Sequence, residues 1–65
     1  MTETTKKRCD QLFNLNMMFN GKSYVGNHDK NRDFNVHWTE ITTFTDEKWN
    51  KLITKLSNEF NDRIA

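Results

Sequence analysis

The side chains in this 65-residue chain that could do chemistry are few: His28, His37 and Cys9, with scattered carboxylates and lysines around them. His28 sits in the run Asn27-His28-Asp29-Lys30-Asn31-Arg32-Asp33, an imidazole between carboxylates. Such a group holds a divalent metal only when further donors converge on it. Here the donors are local and lack the paired HxH or HxxxH spacing, so the run reads as a charged surface loop. His37 could serve as a general base only with a nucleophile or an orienting carboxylate on its own face. Its period-two neighbours are Asn35 and Thr39, so it reads as a surface histidine. Cys9 is the only cysteine, which excludes an intramolecular disulfide, and no motif around it marks it as a reactive thiol. Lys6, Lys7 and Arg8 form a short basic run that could meet phosphate or an acidic partner, but it reads first as part of a frayed terminus. No nucleophile–base pair, phosphate-cradling loop or metal cluster is legible. The expectation is a protein that is not an enzyme and uses no metal or cofactor.

The elements that would position these groups follow from hydrophobic periodicity. Asp33 to Phe44 alternates with period two, placing Phe34, Val36, Trp38 and Phe44 on one side of a long strand. Asp46 to Ile64 carries Trp49, Leu52, Ile53, Leu56, Phe60 and Ile64 on a single 3.6-period stripe. Thr45 is its N-cap, and Asp46 and Glu47 favour the positive end of the helix dipole. Upstream, Leu12 to Phe19 alternates as a strand, with Phe13, Leu15, Met17 and Phe19 inward. Asn20-Gly21 follows as a two-residue hairpin tip that pairs Phe19 with Lys22 and Met17 with Tyr24. The expected fold is therefore α+β: a three-stranded antiparallel meander followed by one C-terminal amphipathic helix on one face, β-β-β-α. Residues 1–10 are expected as a weakly ordered arm and 11–65 as a single small domain.

Composition narrows the function class. The net charge of +1 suits neither a dedicated nucleic-acid binder nor an acidic mimic of DNA. The longest apolar run, Met17-Met18-Phe19, is far too short to span a membrane, and no secretory signal opens the chain. The expected setting is the cytoplasm. Asparagine fills nine of 65 positions and proline none, a bias that AT-rich genes such as those of phages and mobile elements share.

With one sheet face under the helix, the other is left open. It would display Met18, Val25, His37, Thr39 and Ile41 among amides and hydroxyls, with Lys30 and Arg32 in the adjoining loop. A few apolar side chains in a polar surround is the pattern of a contact surface. The leading expectation is a non-catalytic protein–protein interaction module, such as a phage or mobile-element accessory protein that inhibits a host or phage protein. The partner would be another protein, a second copy of the chain included. The alternative is a small nucleic-acid binder using the open sheet face and its basic rim. The order of elements is similar to that of the small DNA-binding domains of phage-type integrases and plant AP2-type factors. Their sheets carry Arg and Lys, where this face carries amides and hydroxyls.

Overall fold

The computed structural model describes residues 1–65, and it begins with a helix where an arm was expected. The elements run α1 (Glu3–Asn14), β1 (Met17–Phe19), β2 (Ser23–Gly26), β3 (Asn35–His37), α2 (Trp38–Thr43) and α3 (Asp46–Ile64). The three strands form one antiparallel sheet in the order β1-β2-β3. The fold is thus α+β with a three-stranded meander, as anticipated. The anticipated β-β-β-α order is corrected to α-β-β-β-α-α, which also ends the likeness in element order to the integrase and AP2-type domains.

Helix α1 is built on polar residues. Thr2 caps it, its Oγ1 accepting the Thr5 N–H at 3.1 Å, and Glu3 lies in the positive first turn. The residues it buries are Thr5, Arg8 and Leu12, three and seven positions apart along one face. Only Leu12 is strongly apolar, so hydrophobic periodicity does not reveal this helix. Alternation across 12–19 instead suggested a strand, which is corrected here: residues up to Asn14 are helical and only Met17–Phe19 are extended. Asn16 makes the reversal between them at a φ of 58°, in the left-handed region that asparagine tolerates better than most residues.

The first hairpin turns on Gly21-Lys22, one residue beyond the expected tip. Asn20 Oδ1 accepts the Lys22 and Ser23 N–H groups at 3.0 and 2.9 Å, and Gly21 takes up the positive φ of 97°. Met17, Met18 and Phe19 therefore pair with Gly26, Val25 and Tyr24. Each partner is displaced by two residues from the expected pairing. An even displacement keeps every side chain on its expected face.

The third strand is much shorter than the alternation of Asp33–Phe44 implies. It stops at His37, where a capping box opens α2: His37 Nδ1 accepts the Thr39 N–H at 3.2 Å, and Glu40 Oε1 accepts the His37 N–H at 2.9 Å. The helical turn rotates Ile41 inward, where it is fully buried. The assignment of Ile41 to the open sheet face is therefore wrong. Thr45 caps α3 as expected, accepting the Lys48 N–H at 3.2 Å. Trp49, Leu56 and Phe60 of the expected stripe are buried, Leu52 and Ile53 half-buried, and Ile64 is exposed.

One core of nine apolar side chains joins Leu12 and Leu15 of the α1 segment, Met17, Phe34 and Val36 of the sheet layer, Ile41, and the three α3 residues. Two buried polar side chains tie its periphery. Arg8, 5% exposed, donates to the Ile41 and Phe44 carbonyls at 3.0 and 2.9 Å and to Asp46 at 3.0 Å. Its guanidinium also lies over the Trp49 ring at 5.1 Å. The expected basic arm thus loses its third member to the interior. Asn31 is fully buried; it accepts the His28 N–H at 2.7 Å and donates to the Leu15 and Asn16 carbonyls at 2.7 and 3.2 Å. It joins the loop between β2 and β3 to the turn that follows α1.

Candidate functional surface

The sheet register decides which of the expected contact residues share a surface. Met18 pairs with Val25 and Val25 with Asn35, so these three side chains lie on one face; His37, paired with Ser23, falls on the same face. Met18 is 48% exposed, while Val25 and His37 are half-buried. Thr39 is exposed on the first turn of α2, with its hydroxyl 2.9 Å from His37 Nδ1. These four residues form a group. Ile41 does not belong to it, being interior.

Lys30 and Arg32 lie in the loop at the far end of β2 from the hairpin tip. Both side chains are exposed, and Arg32 is engaged with Asp29 at 3.0 Å. The loop is pinned to α3 by Arg63, which donates to the Lys30 carbonyl at 2.9 Å and to the Asp33 carboxylate at 2.6 Å. Hydrogen bonding to Arg63 holds the Asp33 carboxyl below the usual carboxylate range. His28 packs edge-on against Phe60 at 5.3 Å, and its Nδ1 accepts the Lys30 N–H at 2.9 Å. This histidine shapes the loop and buttresses the end of α3.

Sequence reasoning placed Phe19, Tyr24 and Trp38 in the core; the structure gathers them at its margin. The Phe19 ring lies 5.3 Å from Tyr24 and 5.5 Å from Trp38, tilted to each by 40° and 55°. Phe19 is 45% exposed, and Tyr24 and Trp38 are half-buried. They occupy the hairpin-tip end of the sheet face that carries Met17 and Val36, with Tyr24 and Trp38 packed against the edge of the buried core. The available signal was the position of Phe19 beside the Asn20-Gly21 turn; Trp38, which the alternation put mid-strand, follows the last residue of β3 and opens α2. Phe13, also assigned inward, is 62% exposed on α1.

Tyr24 has a distinctive setting. Burial pushes its phenol up to about 12, aided by a hydrogen bond with Cys9 and by the nearby charges of Cys9 and Asp10. Like any tyrosine at neutral pH, Tyr24 carries its phenolic proton and is a hydrogen-bond donor at the rim of the aromatic group. The hairpin end thus presents apolar surface on both sides, Met18 on one and the Phe19 rings on the other.

No family model, curated protein or solved structure matches the chain. No helix is long and apolar enough to cross a membrane.

Proposed function

We propose that this protein is a non-catalytic module that binds another protein through its hairpin end. The observation that carries the reading is the exposed Phe19 held between Tyr24 and Trp38, with Met18 on the reverse side of the same strand. Aromatic side chains already ordered against one another lose little rotamer freedom on binding, and Trp and Tyr are enriched among residues that dominate protein interfaces. On the reverse side, Val25, His37 and Thr39 extend the Met18 surface with a mixed apolar and polar rim, the usual anatomy of a contact patch. The small size of the domain and the paucity of catalytic groups suit regulation by occupancy, such as inhibition of a protein of its host.

Nucleic acid is the competing partner, since Lys22 stands at the hairpin tip close in sequence to Phe19. Against it, the Asp10 carboxylate is near enough to raise the Tyr24 pKa, and it would repel a phosphate backbone approaching those rings.

The test is capture from nuclease-treated lysate with wild-type protein and with Phe19→Ser and Met18→Ser variants, each first shown to be folded by circular dichroism. A protein retained by wild type and lost with Phe19→Ser supports the proposal. Retention undiminished by both substitutions, or binding only of nucleic acid with steep salt dependence, refutes it.

A further inference from the structure

A polar furrow runs between α1 and α3, its lining residues advancing together from Thr4 to Asn14 on one helix and from Asp46 to Asn58 on the other, so the two helices run in the same direction. Its deeper end has a volume of about 390 Å³ and is lined by Thr4, Lys7, Arg8 and Gln11 from one helix and Asp46, Trp49 and Asn50 from the other. Gln11 also lines a second hollow of about 430 Å³ further along the same two helices. The floor at the deeper end is the buried Trp49.

Two donors there are held in place from below. The Trp49 indole N–H donates to Gln11 Oε1 at 2.7 Å, which uses that oxygen and leaves the amide nitrogen as the free end of the side chain. Arg8 is 5% exposed and fixed by two carbonyls and the Trp49 ring, yet its Nε–H has no acceptor within the protein. No buried side-chain polar atom lacks a partner, so that N–H is not sealed from solvent, and Arg8 is among the residues that line the furrow. Lys7 supplies a third donor at the rim. Donors fixed before the ligand arrives cost little ordering on binding.

The furrow already handles a carboxylate. Asp46 reaches Arg8 Nη2 with one oxygen at 3.0 Å, but its side chain is 89% exposed, so the contact is a weak, solvent-screened one. We infer that the deeper end of the α1–α3 furrow is a binding site for a carboxylate side chain of an acidic peptide segment. The incoming carboxylate accepts from Arg8 Nε, the Gln11 amide and Lys7, and competes with Asp46 for the guanidinium. A phosphate concentrates more negative charge on one group than a carboxylate does, so the Asp46 carboxylate that lines the site repels it more strongly and it is disfavoured. This site goes beyond the hairpin-end reading and is tested without it, so loss of partner binding through Phe19 leaves it standing.

The experiment is a titration of the labelled protein, followed by the NMR signals of the Arg8 Nε–H, the Gln11 side-chain amide and the Trp49 indole. The probes are a short acetylated and amidated peptide of alternating Asp and Gly, the same peptide with Asn for Asp, and inorganic phosphate. The Asp peptide should give saturable shifts at all three groups, weakened by added salt, while the Asn peptide gives none. Gln11→Glu keeps the oxygen that serves Trp49 and replaces the donor by a carboxylate, so it should abolish the shifts. Asp46→Asn removes the competitor and should tighten binding, by up to about fivefold for an exposed ion pair. Absence of saturable shifts, equal response to the Asn peptide, tighter binding of phosphate, an unaffected Gln11→Glu, or weaker binding by Asp46→Asn would each overturn the assignment.

Discussion

Replacing Arg8 by methionine should come close to unfolding the protein. The guanidinium is only 6% exposed and donates to the Ile41 and Phe44 carbonyls at 3.0 and 2.9 Å. Hydrogen bonds from a charged donor contribute roughly 1.5–3 kcal/mol each, so the pair is worth about 3–6 kcal/mol. The Asp46 arm is mostly solvated and adds under about 1 kcal/mol. A domain of 65 residues has a total stability of roughly 3–10 kcal/mol. Methionine fills much of the same volume, so the loss reports the polar bonds and not a cavity. Urea unfolding followed by tryptophan fluorescence measures it, with three variants compared. Arg8→Met should lose most of the stability, and Arg8→Lys should lose less. A single nitrogen, Nη1, serves both carbonyls, and an ammonium can stand in its place, forfeiting only the Asp46 arm and the planar contact with Trp49. Asp46→Asn should stay within about 1 kcal/mol of wild type. An Arg8→Met variant as stable as wild type would show that the apolar contacts of Leu12 and Leu15 hold α1 unaided, as happens where a buried ionic group can be exchanged for a hydrophobe. The reasoning about the clasp would then fail.

Two other perturbations test the remaining geometry. A Cβ at Gly26 would sit 1.7 Å from the Asn31 carbonyl oxygen, a backbone atom that cannot step aside, so Gly26→Ala should shift the unfolding midpoint sharply downward. An Ala at Gly26 with unchanged stability would mean that the 27–34 loop does not approach β2 as closely as described. Tyr24 is the only tyrosine, so tyrosinate absorbance reports it alone. Its folded pKa of about 12 lies above the ordinary value near 10. The unfolded chain releases this proton first, so the contribution of Tyr24 to stability is complete below pH about 10 and is lost as the pH rises toward 12. Tyr24→Phe should therefore flatten the fall of stability over that window; an unaltered slope, or a native titration midpoint near 10, refutes the buried setting.

What the sequence reveals of this fold follows from which side chains do the holding. The α3 stripe is legible because Trp49, Leu56 and Phe60 are apolar at helical spacing, and the Thr45 cap marks where it begins. The meander is legible from the Asn20-Gly21 turn signal and from alternation, even though the tip moved by one residue. Helix α1 is not, because what secures it is an arginine reaching carbonyls 33 and 36 residues away. Periodicity registers apolar faces and has no means of showing a polar side chain buried by distant partners. The end of β3 is hidden for a different reason. Trp38-Thr39-Glu40-Ile41-Thr42-Thr43 is rich in β-formers, and the capping box that makes it helical uses a histidine in place of the usual serine or threonine. That error carried Ile41 to the wrong surface, whereas Met18 and Val25 keep their expected face because register shifts of two preserve facing.

The same economy of apolar residues links the fold to its surfaces. Nine buried hydrophobic side chains cannot cover both a sheet and two long helices, so the margins are closed by polar clasps and the last aromatics are left half outside. Where Arg8 and Gln11 tie α1 to Trp49, each spends part of its hydrogen-bonding capacity inward while its side chain lines the furrow. Where the core ends at the hairpin, Phe19, Tyr24 and Trp38 steady one another without being sealed. In both places, groups recruited to stabilise a small fold are left ordered and partly unsatisfied at the surface. An ordered group with unspent contact capacity is what recognition requires, since its entropy has been lost on folding and not at the moment of binding. The two surfaces therefore arise from one cause, and each can be removed by a substitution that leaves the other intact.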